Sequence, residues 1–149
     1  NPGRTNSIAP GKRVLSSMSS VIVLKRGEPF MTLGTPGGLK IFGSVAQAIS
    51  NVIDHGMTLQ AAFEAARMWD RGPALELEKG FPDFDSLRSS LEARGHTVDP
   101  QFKVAGGMNG IMRRADGLLE GAACWRADGA PMGYSGGDGL VEGRGPAMW

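Results

Sequence analysis

Gly34-Thr35-Pro36-Gly37-Gly38 is the stretch around which the chain is organised. The apolar run 29–33 leads into it, and a helical pattern begins after it at Leu39. A strand that turns through adjacent glycines into a helix presents backbone N–H groups without intrahelical partners, and the helix dipole favours negative charge beside them. The stretch therefore predicts either an anion-binding bend at Gly37 and Gly38 or a tight turn with no ligand.

A second motif, Ser16-Ser17, precedes the β-branched run 21–25. Gly27-Glu28 supply a turn, and residues 29–34 return as a second strand, so we predict an antiparallel hairpin. Both motifs then lie at the same end of the hairpin, and we expect them to be neighbours in space. Two backbone donors aimed at one point would make an oxyanion hole, and two adjacent hydroxyls would hold a carboxylate. The alternative is that the serines only cap a strand end.

The rest of the chain alternates helical and extended patterns. One helical face after Leu39 carries apolar residues at Ile41, Val45, Ile49, Val52 and Ile53. Further helices are predicted over 59–67 and 82–94, and strands over 75–78, from Val98, over 109–114 and over 118–125. The order β-β-α-α-β-α-β-β predicts an α+β fold in which helices cover antiparallel sheets.

Composition narrows the function classes. The net charge of +1 and the scattered basic residues give no indication of nucleic-acid binding, and no apolar run could span a bilayer. His55 and His96 have no cysteine or carboxylate at metal-ligand spacing, so we predict no metal and no cofactor. Gly34 to Lys40 lacks the spacing of a phosphate loop, which makes a nucleotide-binding domain a poor hypothesis. Cys124 follows apolar residues and is expected to be buried.

The two motifs together carry a family resemblance. The stretch from Pro10 to Ser19 (PGKRVLSSMS) resembles the Pro-Gly-Lys-Arg-Pro-Leu-Ser-Ser-Met-Ser signature of the γ-glutamyltranspeptidase family, and residues 35–38 resemble its Ser/Thr-Pro-Gly-Gly motif. The match continues through Gln47, residues 51–57, residues 65–67, Gly95-His96, and 121–123 followed by Arg126, and it covers roughly residues 1–134.

The resemblance implies the four-layer α-β-β-α sandwich of the N-terminal-nucleophile hydrolases. It implies an autoprocessed enzyme whose small subunit begins with a nucleophilic Thr that attacks a γ-glutamyl amide, usually of glutathione. Gly37 and Gly38 would form the oxyanion hole, and Ser16 and Ser17 would hold the α-carboxylate of the substrate. The acyl group would then pass to water or to an amino acid or peptide, and the family suggests a periplasmic or secreted location.

The sequence departs from the family pattern at several positions, which leaves the extent of the chain and its substrate specificity open. In the family the nucleophilic Thr lies well upstream of the Pro-Gly-Lys-Arg segment, and Thr5 does not match it. We therefore expect residues 1–134 to be the C-terminal part of a small subunit, with residues 135–149 as a disordered Gly-rich tail. The expected partners are the large subunit and the rest of the small subunit, and we expect the 149 residues alone to be inactive. Cys124-Trp125-Arg126 stands where Asp-Pro-Arg is common, and Met108-Asn109 stands where a Gln is common.

Two alternatives stay open from the sequence. The chain could be a noncatalytic anion-binding or assembly piece that keeps the pocket without the chemistry. It could also belong to a related N-terminal-nucleophile amidase that acts on another amide.

Overall fold

A computed structural model describes residues 3–133 of the 149. Twelve elements follow one another along this part of the chain. They are β1 (Val21–Lys25), β2 (Glu28–Gly34), a first 3₁₀ turn (Gly38–Lys40), α1 (Ile41–Ile53), α2 (Leu59–Glu64), β3 (Met68–Asp70), β4 (Leu75–Glu78), α3 (Phe84–Ala93), β5 (Val98–Gln101), β6 (Asn109–Arg113), β7 (Leu119–Ala123) and a second 3₁₀ turn (Trp125–Ala127).

The larger sheet has the strand order β1-β2-β6-β7, and all its pairs are antiparallel. Both predicted hairpins are present in it. In the first, Lys25 pairs with Glu28 across Arg26 and Gly27, which both have positive φ, as a two-residue hairpin turn requires. The second turns at Gly117, whose φ is 85°, as the Asp-Gly pair predicts.

The core lies between this sheet and the helices α1 and α2. Its fully buried members include Leu59 and Phe63 from α2 and Met108 beside β6. Thr58 caps α2 by accepting a hydrogen bond from the Ala61 N–H at 3.2 Å, as its position before the apolar pattern predicts. The helices therefore cover one face of the sheet.

The smaller sheet departs from the sequence prediction. Its order is β3-β4-β5, and β4 pairs with β5 in parallel. The connection that contains α3 supplies the crossover that a parallel pair needs. The sequence pattern does not predict strand β3, because its three residues are too few to show a period.

Two further predictions need correction. Helix α2 ends at Glu64, since Ala65 is extended with φ −51° and ψ 143°. Ile53 was expected on the buried face of α1 but is half exposed. The general α+β prediction holds, and no helix within residues 3–133 is long and apolar enough to cross a membrane. The predicted tail 135–149 lies outside the described residues.

Candidate functional site

The bend after β2 connects the predicted strand to a short helical turn. β2 ends at Gly34, and a 3₁₀ turn rather than an α-helix begins at Gly38. Gly37 has φ 150° and Gly38 has φ 60°, two conformations that side chains disfavour. Both glycines are exposed, and neither N–H donates a hydrogen bond to any residue in the described range 3–133. The bend therefore presents two adjacent peptide donors to the exterior.

Thr35 anchors the bend to the loop that precedes β6. Its hydroxyl lies 2.9 Å from the Gly106 carbonyl oxygen and 3.3 Å from that of Gly107. It also lies 3.0 Å from the Pro36 carbonyl oxygen, and its single proton serves one acceptor at a time. In return the Gly106 N–H donates to the Pro36 carbonyl at 2.8 Å. The two loops therefore hold each other through reciprocal hydrogen bonds.

Close packing also holds the bend at Gly37 against the 105–107 loop. A Cβ on Gly37 would lie 2.7 Å from the Ala105 Cβ, and a Cβ on Gly106 would lie 2.7 Å from the Pro36 Cγ. Ala105 itself has φ 61°, a conformation that costs a non-glycine residue free energy and marks a constrained segment. The bend and the 105–107 loop thus leave no room for a Cβ at either Gly37 or Gly106.

Ser16 and Ser17 lie in an exposed segment that leads into β1. The Ser16 Oγ accepts a hydrogen bond from the Met18 N–H at 3.1 Å, which is a local turn contact. Val21 pairs with Leu33, so the serines enter the hairpin at the end where Gly37 and Gly38 leave it. The register supports the expected neighbourhood, and a direct approach of the serines to the bend stays a prediction.

A buried charge cluster behind the bend was not predicted. It consists of Arg67, Glu78, Cys124 and Arg126, whose exposed fractions are 2%, 1%, 1% and 4%. The Glu78 carboxylate forms an ion pair with Arg126, with the Arg126 Nε at 2.8 Å from Glu78 Oε1. It also accepts hydrogen bonds from the backbone N–H groups of Arg67 at 2.9 Å and Val104 at 2.5 Å.

Arg67 connects this cluster to the bend. Its Nη1 donates to the Gly106 carbonyl at 3.0 Å, the same oxygen that accepts from Thr35. Its Nη2 donates to the Phe63 carbonyl at 3.1 Å and lies 3.6 Å from the Cys124 Sγ. Both arginines occur in the segments that carry the family resemblance, but nothing in their spacing shows that they are buried.

Burial and neighbouring charges shift the pKa values of three of these groups. Burial lowers the pKa of the Arg67 guanidinium, and repulsion from Arg126 lowers it further. Burial also acts to lower the pKa of Arg126, but its hydrogen bonds and ion pair with Glu78 outweigh burial and raise it. Burial raises the pKa of the Cys124 thiol, yet backbone donors at Met108 and Arg126 and the charge of Arg67 leave it below the ordinary thiol value.

Comparison with known proteins gives a consistent assignment. The sequence profile described as gamma-glutamyltranspeptidase matches residues 1–134. The chain is 54% identical over 137 residues to the acylase ACY 1 proenzyme of Pseudomonas sp. (strain SE83), covering 92% of this chain and 24% of that protein. It is 38% identical over 135 residues to the glutathione hydrolase proenzyme of Escherichia coli (strain K12), covering 89% of this chain and 23% of that protein.

A solved structure extends the match to three dimensions. The gamma-glutamyltranspeptidase of Pseudomonas nitroreducens, solved in complex with L-DON, superposes with a TM-score of 0.77 at 33% identity. The match covers 89% of this chain and 70% of that one.

The fold is therefore α+β and part of the α-β-β-α sandwich of an N-terminal-nucleophile hydrolase. Within that class, the chain belongs to the γ-glutamyltranspeptidase family. It spans about a quarter of the length of the two curated relatives.

Proposed function

We propose that residues 1–134 form the C-terminal part of the small subunit of an amide hydrolase or acyltransferase that takes γ-glutamyl donors. The observation that carries the proposal is the pair of exposed N–H groups at Gly37 and Gly38, held rigidly by Thr35 and the 105–107 loop. Donors fixed before the reaction stabilise the oxyanion of a tetrahedral intermediate without reorganisation. Ser16 and Ser17 would hold the α-carboxylate of the donor.

The attacking group belongs to another part of the complete protein. A small-subunit Thr upstream of these residues would attack the γ-carbonyl carbon, and its hydroxyl proton would pass to the Thr α-amine. The C–N bond of the γ-amide would break, and the amine portion of the donor would leave with that proton. Water or an acceptor amine would then attack the acyl carbonyl, and the bond to the Thr oxygen would break to release the acyl group. The bend would stabilise the oxyanion in both steps.

The uncovered face of the larger sheet supports an incomplete sandwich. Ile22, Thr32 and Ile111 lie on one row across β1, β2 and β6, and both isoleucines are substantially exposed. Leu24 and Leu119 extend the apolar character of this face. We propose that the second sheet of the sandwich, supplied by the large subunit and the rest of the small subunit, packs here.

Lysine substitution tests this docking face in the complete protein. We expect Ile22→Lys to impair autoprocessing and subunit association, because burying an unpaired ammonium between sheets is strongly unfavourable. Ile53→Lys is the matched control, since Ile53 is similarly exposed but lies on the helical layer. Equal processing and association in both variants would contradict the proposed packing.

The proposed reaction is tested by hydrolysis of a γ-glutamyl anilide by the complete, processed protein. We expect turnover that depends on the small-subunit Thr and falls when Ser16 and Ser17 are both replaced by Ala, with the larger effect on KM. Absence of turnover would refute the γ-glutamyl proposal and leave an assembly or anion-binding role. Turnover by residues 1–149 alone would refute the expectation that the missing parts are needed.

A second candidate is an acylase that acts on a different amide, and the higher identity to the acylase ACY 1 proenzyme favours it. Ser16 and Ser17 could hold the distal carboxylate of an acyl donor that has no α-amine. Two anilides that differ only in that amine, γ-glutamyl and glutaryl, separate the candidates. Preference for the γ-glutamyl compound supports the first, and preference for the glutaryl compound supports the second.

A further inference from the structure

The buried cluster behind the bend contains more positive than negative formal charge. Arg67 and Arg126 contribute two guanidinium groups, and Glu78 contributes one carboxylate. All three side chains are almost completely buried, and buried charges in proteins are usually paired. These three groups therefore leave one formal positive charge without a carboxylate inside the cluster.

The Glu78 carboxylate is already occupied. Arg126 takes the ion pair, and the backbone N–H groups of Arg67 and Val104 take the remaining acceptor positions. The Arg67 guanidinium donates to backbone carbonyls rather than to this carboxylate. Its carbonyl partners at Phe63 and Gly106 are neutral.

Two carboxylates on the elements around the cluster have other partners. On α2, Glu64 is exposed and accepts from Gln60. On β7, Glu120 accepts from the Leu59 N–H. Lys103 adds a cation, with its Nζ 3.4 Å from the Arg126 carbonyl oxygen.

The acidic group that contacts the Arg67 side chain directly is the thiol of Cys124. Its Sγ lies 3.6 Å from the Arg67 Nη2 and accepts a hydrogen bond from the Met108 N–H at 3.1 Å. Both contacts place donors against the sulfur, which is the arrangement that stabilises a thiolate. The lowered pKa of the thiol agrees with these contacts.

We propose that Cys124 is a thiolate at neutral pH and serves as the counter-ion that holds Arg67 against the Gly106 carbonyl, so that it positions the oxyanion bend. The proton leaves to solvent when the protein folds. Arg67 and Thr35 share the Gly106 oxygen, and the Gly106 N–H holds Pro36 immediately before Gly37. Cys124 is a positioning residue, and only its effect on turnover rests on the proposed function.

The ionisation is measured directly by ultraviolet absorption, because a thiolate absorbs in the far ultraviolet where a thiol does not. The probe is the difference spectrum between the complete wild-type protein and its Cys124→Ser variant, titrated with pH. We expect a thiolate band at neutral pH that disappears on acidification. A band that appears only above the ordinary thiol range near pH 8.5 would overturn the proposal. Cys124→Asp supplies the same blank if the serine variant does not fold.

The positioning role is measured by comparing the same two variants in steady-state kinetics. Cys124→Ser keeps the size of the side chain but removes the charge, and we expect kcat to fall on the order of tenfold with KM nearly unchanged. Cys124→Asp restores a negative charge and is expected to recover most of kcat. Wild-type kcat in the serine variant, or an aspartate variant no better than the serine variant, would overturn the positioning role. Failure of the wild-type protein to hydrolyse a γ-glutamyl anilide would refute the proposed function. The ultraviolet titration would still decide whether Cys124 is a thiolate.

Discussion

Replacing Gly37 by alanine tests how closely the bend is fitted to its neighbour. The new Cβ would lie 2.7 Å from the Ala105 Cβ and 3.1 Å from its Cα. Carbon atoms prefer separations of about 3.5–4.0 Å, so the two loops must move apart by about 1 Å. A displacement of about 1 Å in a positioned catalytic group costs on the order of 100-fold in rate. We therefore expect Gly37→Ala to lower kcat for γ-glutamyl anilide hydrolysis by about 100-fold.

Two other glycines provide matched controls. Gly38 has φ 60° and Gly117 has φ 85°, and a Cβ on either meets no atom within 4 Å. Alanine at each position costs about 1–2 kcal/mol of backbone strain without a steric clash. We expect Gly38→Ala to lower kcat by less than about tenfold and Gly117→Ala to leave kcat unchanged, because Gly117 lies in a distant hairpin turn.

The comparison is made on the complete protein, with thermal unfolding measured beside kcat to separate misfolding from misplacement. A folded Gly37→Ala variant with kcat within a few-fold of wild type would refute the argument. So would a greater loss of kcat in Gly38→Ala than in Gly37→Ala. Gly106→Ala offers an independent check, since its Cβ would press on Pro36 at 2.7 Å and is expected to reproduce the loss of turnover.

Three further predictions concern buried groups. The Ser44 hydroxyl is buried without a hydrogen-bond partner in the described part of the chain. Ser44→Ala should therefore raise the free energy of unfolding, measured by chemical denaturation, by about 1 kcal/mol. A decrease would contradict this prediction. Arg126→Ala leaves Glu78 buried and unpaired, and it should lower the free energy of unfolding by about 3–5 kcal/mol. Arg88 is in an exposed ion pair with Glu92, so Arg88→Ala should lower the free energy of unfolding by less than about 1 kcal/mol. Equal losses in the two variants would contradict the account. The pKa of Cys124 is lower in the folded protein than in the unfolded chain, so the ionised thiol stabilises the fold. This contribution is complete above the pKa of the unfolded thiol and is lost as pH falls through the folded pKa. The difference in the free energy of unfolding between wild type and Cys124→Ser should therefore grow with rising pH, and a difference that shrinks would contradict the thiolate.

Local chemistry explains which parts of the fold could be predicted from the sequence. The two hairpins follow from short turns at Gly27 and Gly117, where positive φ is required. The bend at Gly37 and Gly38 follows from adjacent glycines between an apolar strand and a helical pattern. Each of these features depends on residues close together in the chain, so a single sequence carries enough information to predict them.

The buried cluster could not be predicted because its pairs are remote in sequence. Glu78 and Arg126 are 48 positions apart, and the alternation of strand β4 gives no reason to expect Glu78 inside. Arg67 looked like the last residue of a helix, but its backbone N–H and its guanidinium are both held by tertiary contacts. Those contacts end α2 early and turn the chain into β3, so tertiary structure overrides the local helical pattern.

The smaller sheet shows a similar limit. The pattern predicts strands β4 and β5 correctly, but their parallel pairing depends on how the connection through α3 packs. Strand β3 has three residues and one half-buried side chain, which is too short to show a period. Local sequence therefore predicted the antiparallel sheet better than the mixed one.

The most direct test of the account is a crystal structure of the complete protein with the acyl-enzyme trapped from a slow γ-glutamyl donor. The account predicts that the acyl carbonyl oxygen lies about 3 Å from the backbone nitrogens of both Gly37 and Gly38, with the α-carboxylate on the hydroxyls of Ser16 and Ser17. An acyl oxygen held by other donors, with the serines on a different side of the molecule from the bend, would contradict it.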